Sequence, residues 1–278
     1  MSEGTLVLDG TPIGNMDDLS PRAAAALASA DVICCEDTRR TGRLLQLAGI
    51  DRRPLLMVND HNEAGRRAEV VRRLDAGERV VVVTDAGMPG IADPGERLVA
   101  AAVAAGHEVQ VVPGPSAGLS ALVGSGIATG RYVFEGFLPR KGVARAERLA
   151  ALAHEERTVV LYESPHRVAK TLADLAEAFG PDRRVAVARE LTKMYEEFWR
   201  GTLGEGATWA GGQQPRGEIA LVIAGLPPRV GATDAELRDA LVEALAAGQS
   251  KRDAAAALAR EFSVPKRRVY DLALALDN

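Results

Sequence analysis

Four glycine- or proline-rich turns carry the positions where chemistry could be done: Gly10-Thr11-Pro12-Ile13-Gly14-Asn15, Asp85-Ala86-Gly87-Met88-Pro89-Gly90, Asp93-Pro94-Gly95 and Pro113-Gly114-Pro115-Ser116. Glycine has no Cβ, so such turns let a ligand approach the backbone closely. A single one is ordinary punctuation between strand and helix, but several together suggest a binding face. None matches G-x-G-x-x-G or the G-x-x-x-x-G-K-[ST] phosphate loop. No lysine stands in them to meet a polyphosphate. A large neutral or cationic cofactor fits these turns better than a nucleoside triphosphate.

Polar clusters accompany the turns: Glu36-Asp37-Thr38-Arg39, Asn59-Asp60-His61-Asn62-Glu63, Tyr162-Glu163-Ser164-Pro165-His166-Arg167 and Arg189-Glu190-Leu191-Thr192-Lys193. A satisfied ion pair or helix cap explains any one of them. Ser164 before Pro165 reads equally as a cap, and lone histidines such as His61 and His166 are more often structural than catalytic. Carboxylates set beside Arg and Lys at strand ends nevertheless suit a site handling a polar substrate. The only cysteines, Cys34 and Cys35, are adjacent. Neighbours on a strand point to opposite faces and do not easily pair. With four scattered histidines they make no zinc spacing.

These residues need a scaffold. Apolar β-branched runs alternate with helical stretches from Thr5 to Val112. The strands are Thr5–Leu8, Asp31–Cys35, Leu55–Val58, Val80–Thr84 and Glu108–Val112. The helices are Pro21–Ala30 (Ser20 as N-cap), Arg39–Ala48, Glu63–Ala76 and Pro94–Ala105. Strand-helix alternation predicts right-handed crossovers and an α/β domain with a largely parallel sheet. Val80-Val81-Val82-Val83 is the pattern of a strand buried on both faces. Ligands of such sheets bind beyond the carboxyl ends of the strands.

Pro113-Gly114-Pro115 is the strongest break, and the expected domains are 1–113, 114–228 and 229–278. Ser116 to Ser125 reads as a helix bridging the halves. The second α/β domain has strands at Tyr132–Phe137, Thr158–Tyr162, Arg184–Ala188, Glu197–Gly201 and Glu218–Ala224. Helices at Arg145–Ala153 and Pro165–Phe179 lie between some of them. A short link joins the strands around Ala188 and Phe198, so a mixed sheet is expected.

Three amphipathic helices follow, Asp234–Ala247, Lys251–Phe262 and Pro265–Leu276, the last two joined as in a helix-turn-helix. From Lys251 to Arg268 six basic residues (Lys251, Arg252, Arg260, Lys266, Arg267, Arg268) face two acidic ones. On charge alone, a nucleic-acid contact and a dimerisation bundle with a solvated basic face stay open.

The chain has 278 residues, a net charge of -4, 47% hydrophobic and 26% charged residues. Such a composition excludes disordered and fibrous classes. No apolar run approaches ~18 residues, so no membrane span is expected. Met1-Ser2-Glu3-Gly4 lacks a basic n-region, and a reducing cytoplasm is the expected compartment. Nucleic-acid binding would have to come from local patches.

Eight segments come in register: Thr11-Pro12-Ile13-Gly14-Asn15, Glu36-Asp37-Thr38-Arg39, Asp60-His61-Asn62-Glu63, Asp85-Ala86-Gly87-Met88-Pro89-Gly90-Ile91-Ala92-Asp93-Pro94-Gly95, Pro113-Gly114-Pro115-Ser116-Ala117, Gly136-Phe137-Leu138-Pro139, Glu163-Ser164-Pro165-His166-Arg167 and Ala188-Arg189-Glu190-Leu191-Thr192-Lys193. Together they resemble the ribosomal RNA small subunit methyltransferase I family, a branch of the tetrapyrrole methylase superfamily. The resemblance spans about residues 5–225, and the C-terminal helices resemble that family's helix-turn-helix extension. Asp9-Gly10 departs from the small apolar residues usual there.

The resemblance implies methyl transfer from S-adenosyl-L-methionine to the ribose 2′-hydroxyl of a cytidine in the decoding region of 16S rRNA. It also implies a cofactor cleft between two domains, and a homodimer. Displacement at a sulfonium carbon needs no metal, only alignment and removal of a hydroxyl proton. Cofactor contacts are expected at Pro12, Gly14, Asp85, Ala86, Gly87, Met88, Ile91, Ser116 and Ala117. Tyr162, Glu163, Glu218 and Ile219 are expected to close the pocket from the second domain. The base is expected among Glu36, Asp37 and Lys193. Substrate contacts are expected at Arg39, His61, Glu63, His166, Arg167 and Glu190, with Lys251, Arg252, Lys266, Arg267 and Arg268 gripping rRNA phosphates. Competing readings are a small-molecule methylase acting on a tetrapyrrole-type ring and a non-catalytic ribosome-binding protein.

Overall fold

The computed structural model describes residues 4–59, 61–213, 215–227 and 232–276. Asp60 of the second polar cluster, and residues 228–231 at the expected start of the helical extension, lie outside them. Contacts divide the chain into two compact units, Met1–Ala224 and Gly225–Asn278.

The first sheet contains β1 (Thr5–Asp9), β2 (Val32–Cys35), β3 (Leu55–Met57), β4 (Arg79–Val82) and β5 (Glu108–Val112). All pair in parallel, in the order β3-β2-β4-β1-β5. Alternate residues feed opposite cores. Leu6, Cys34, Val80 and Val82 pack with Val70 and Leu74 of α3 (Glu63–Asp75) and Leu98 of α4 (Glu96–Ala104). Val7, Ile33, Cys35 and Val81 pack with Leu27 of α1 (Pro21–Ala28) and Leu45 of α2 (Thr38–Leu47). Double-sided burial is why the β4 run is uniformly apolar. Cys34 and Cys35 enter opposite cores as free thiols, and burial pushes Cys34 up to about 12.

The chain leaves this sheet at Pro113-Gly114-Pro115, the expected boundary, and both sheets belong to one compact unit. α5 (Ala117–Gly124) follows, N-capped by Ser116. The second sheet contains β6 (Tyr132–Phe137), β7 (Thr158–Glu163), β8 (Arg184–Arg189), β9 (Glu197–Thr202) and β10 (Ile219–Ile223), in the order β6-β7-β10-β8-β9. β6 and β7 are parallel, and the other pairs are antiparallel. The sheet is mixed, as expected. α6 (Val143–Ala153), α7 (Val168–Phe179) and α8 (Leu203–Gln213) supply Leu149, Leu172 and Leu203 to the core on one face. On the other face Ala121 and Leu122 of α5 pack with Val160, Ala186 and Val222. Ile13, from the loop after β1, joins that cluster.

Two expectations need correction. α8 was not read from the sequence, because its four glycines argue against a helix. Packing decides otherwise. A Cβ on Gly206 would fall 3.1 Å from the Trp199 ring, so glycine lets the helix lie close, and Trp209 stacks on Trp199 at 5.3 Å. The α7 helix starts at Val168, not Pro165, and the Ser164 carbonyl accepts from the N–H groups of Arg167 and Val168.

The second unit holds α9 (Asp234–Ala246), α10 (Lys251–Glu261) and α11 (Lys266–Ala275). Thr233 and Glu236 form a capping box for α9, and Ser250 caps α10. Leu237, Leu241, Ala255, Leu258, Val269 and Leu272 make its core.

Candidate active site

The loops leaving β1, β2, β4 and β5 meet at the carboxyl edge of the parallel sheet. Thr11 and Gly87 exchange both backbone hydrogen bonds, at 2.9 and 3.1 Å, tying the β1 loop to the β4 loop. The Thr11 hydroxyl also donates to the Thr84 carbonyl at 3.2 Å. Gly87 adopts φ +87, a conformation open to glycine and strained for other residues. Between these loops and the second sheet lies a cavity of about 410 Å³, within the range of small-molecule sites.

Asp85, Ala86, Gly87, Met88, Ile91, Ser116 and Ala117 line it from the first half. Tyr162, Glu163, Glu218 and Ile219 line it from the second. The Tyr162 hydroxyl accepts from the Gly118 N–H at 3.0 Å, next to the α5 N-terminus, and Phe134 meets its ring edge-on at 5.0 Å. Burial pushes the Tyr162 phenol up. The wall is acidic: Glu36, Asp85, Asp93, Glu163 and Glu218 stand against a single cationic side chain, Arg40. Such a lining favours a cationic ligand.

Glu36 is fixed by the Thr84 hydroxyl and by the Asp85 N–H, which donates at 3.0 Å. Asp85 faces Arg40 at 3.3 Å through Oδ2, while its buried Oδ1 has no hydrogen-bond partner among the described residues. Burial, then the neighbouring Glu36 charge, push its carboxyl up.

Pro12 and Gly14 line a second cavity, of about 320 Å³, which shares Ile13, Arg40, Thr84, Asp85, Ala86 and Glu218 with the first. Lys193 lines this second cavity. Its Nζ lies 3.0 Å from Glu190 and 2.9 Å from Glu218. Burial works against the ammonium, but the hydrogen bonds to Glu218 and Glu190 outweigh it, and its pKa is raised. The Glu218 N–H, donating to Glu190, holds that carboxyl low.

The other residues singled out in the sequence lie elsewhere. Asp37 N-caps α2, and its hydrogen bonds to Arg39 keep it far below the usual carboxylate range. Arg39 projects into solvent. Glu63 is buried, and its Oε1 accepts from the N–H groups of Gly95 and Arg97 at 2.9 and 3.0 Å, at the start of α4. His61 and His166 are exposed. Arg167 braces Glu163 at 3.2 Å and donates to the Leu138 carbonyl. In the second unit Arg252, Lys266 and Arg267 are exposed and Lys251 half-buried. Arg268 donates to Asp234 and to the Ala232 carbonyl. Arg40, Thr84 and Phe137 were missed. Thr84 ends the β4 apolar run and Arg40 directly follows a quoted motif, the only signals either gave.

Residues 5–207 match the family of Tetrapyrrole (Corrin/Porphyrin) Methylases. A Synechocystis protein named Ribosomal RNA small subunit methyltransferase I is 47% identical over 99% of each chain. One of the same name from Xylella fastidiosa is 45% identical, over 96% of this chain and 98% of its own. Among solved structures, uroporphyrin-III C-methyltransferase from Thermus thermophilus, complexed with S-adenyl homocysteine, shares the fold. Its TM-score is 0.58 at 20% identity, over 80% of this chain and 97% of that one.

Proposed function

Because the chain belongs to the tetrapyrrole methylases, and within them to the ribosomal RNA small subunit methyltransferase I family, we propose that it moves a methyl group from S-adenosylmethionine to the 2′-hydroxyl of a cytidine in the decoding region of 16S rRNA. It would do so in the cytoplasm, as a homodimer. The observation that carries this reading is the acidic cavity of about 410 Å³. Its carboxylates suit a ligand bearing a sulfonium and an ammonium, and its apolar lining suits an adenine.

S-adenosylmethionine supplies an electrophilic methyl group, so the protein must bind, orient and take up a proton. Backbone groups at Asp85 to Met88 and at Ser116-Ala117, with Tyr162 and Ile219, would hold the donor. Positioning of this kind is worth up to ~7–11 kcal/mol. For the proton, Lys193 is a poor base, since its carboxylate partners keep it an ammonium. Asp37 is engaged by Arg39 and lines neither cavity. Asp85 is the better base: it lines both cavities, and burial with the neighbouring Glu36 charge pushes its carboxyl up. Glu36, bound to the Asp85 N–H, fixes it. The basic residues of α10 and α11 would contact rRNA phosphates.

Calorimetry with S-adenosylmethionine, then methylation of 30S subunits lacking this modification with mass spectrometry of the rRNA, tests the reading. Donor binding and one new 2′-O-methylcytidine are expected. Donor binding with methyl transfer only to a tetrapyrrole, or no transfer to either, would overturn it.

A further inference from the structure

We propose that the cavity of about 320 Å³ beside α2 seats the acceptor ribonucleotide, with Arg43 and Arg40 on the adjoining phosphate and Leu44 and Leu47 against the base. The proposal rests on the RNA-methylating reading above and names where that substrate sits. Arg40, Arg43, Leu44 and Leu47, its α2 side, stand in none of the sequence motifs.

Three observations converge. First, a transfer reaction needs its two reactants side by side. This cavity and the acidic one share a wall, and Asp85 lines both. A hydroxyl entering from the α2 side would come alongside the Asp85 carboxylate, which the donor cavity also reaches.

Second, the two cavities differ in chemistry. The acidic one has a single cation. The second is lined by Arg40, Arg43 and Lys193 with Leu44, Leu47 and Met16. Cations next to apolar side chains suit a nucleotide, whose phosphate is anionic and whose base has two apolar faces. Positions 40, 43, 44 and 47 recur at helical spacing, so one face of α2 presents the whole set.

Third, the charges are not spent equally. Lys193 is held by Glu190 and Glu218, Arg39 by Asp37 and Arg40 by Asp85. Arg43 is exposed and makes no hydrogen bond or ion pair among the described residues. Leu47 beside it is 56% exposed, a large apolar side chain left in water. The free guanidinium and the exposed leucine sit one helical turn apart on the rim of the cavity. Together they offer a phosphate and its base a partner each.

The test uses the full chain and three variants, R43A, R43K and L47A. Both sites are exposed, so folding should survive. For each, the KM for 30S subunits is measured across a salt series, and the Kd for S-adenosylmethionine by calorimetry. R43A should raise the KM roughly tenfold, as loss of a charge-assisted hydrogen bond does. It should also lower the salt slope by about one ion. R43K should restore the slope. L47A should raise the KM with the slope unchanged. Donor Kd should hold in all. Wild-type KM in both R43A and L47A would overturn the proposal. So would a KM rise matched by a weaker donor Kd, since that places Arg43 at the donor site. If the unmodified chain binds donor yet leaves 30S subunits unmethylated, the RNA reading itself falls. If it methylates an anionic tetrapyrrole through Arg43 instead, the cavity seats that molecule and not a nucleotide.

Discussion

Gly10 and Gly114 meet backbone to backbone: a Cβ on Gly10 would fall 2.6 Å from the Gly114 Cα, and one on Gly114 2.7 Å from the Gly10 Cα. Neither has positive φ, so the constraint is contact alone. The contact locks the loop after β1 against the loop after β5. Backbone on both sides leaves nothing to rotate away. G10A and G114A should each cost about 2–3 kcal/mol in urea unfolding. Donor affinity should fall too, because both loops frame the cavity.

Asp85 is expected to set the acid limb of the pH-rate profile. Its carboxyl is pushed up, so the limb in kcat/KM should lie above the ordinary carboxylate range. D85N should reduce kcat by ~10²–10⁴ and remove that limb, a loss larger than any weakening of donor binding read by calorimetry. An unchanged profile in D85N would assign the limb to another group.

Glu63 should behave as a structural residue. Its carboxylate serves the first N–H groups of α4. E63A should lower stability by ~1–2 kcal/mol, the worth of a helix cap, and leave the KM for RNA unchanged. A KM effect without a stability effect would return Glu63 to the substrate side.

Arg145 is buried between α6 and α7, bonded to Asp174 at 2.9 Å, Thr171 at 3.0 Å and the Pro139 carbonyl at 3.0 Å. R145M should cost ~1–3 kcal/mol, because it leaves the Pro139 carbonyl and the Thr171 hydroxyl without their arginine partner while Lys170 still pairs with Asp174. Adding D174L should recover little of that loss. Chemical unfolding of the single and double variants measures the coupling.

Asp9 is fully buried, neither carboxylate oxygen has a hydrogen-bond partner, and burial pushes it from 3.8 to about 7. The folded state holds this proton more tightly than the unfolded chain does. Stability should therefore fall as pH rises from about 4 to about 7, by at most ~4 kcal/mol. D9N should come closest to the wild type below about pH 4 and exceed it at pH 8 in thermal unfolding.

The parallel sheet and the donor side of the site were legible because their signals are local. Alternating burial writes itself into β4 as an apolar run, and the turns at Gly10 and Gly87 need glycine for reasons of backbone and contact. Helix α8 was not legible, since its glycines answer to Trp199, a residue on another element. The same holds for Glu63. Its motif reads as a substrate contact in sequence, while its partners, the N–H groups of Gly95, Arg97 and Leu98, are 32 to 35 residues away. Arg40 and Arg43 look like any arginines on a solvated helix. Only their position beside Asp85, which folding creates, sets them apart.

Cys34 and Cys35 have a practical consequence for labelling the protein. Both sulfhydryls are shut inside the first sheet, so the native chain should be inert to maleimides and disulfide-exchange dyes. Any slow labelling would then clock the opening of the central strands. A single cysteine introduced on the surface would carry a fluorophore without background.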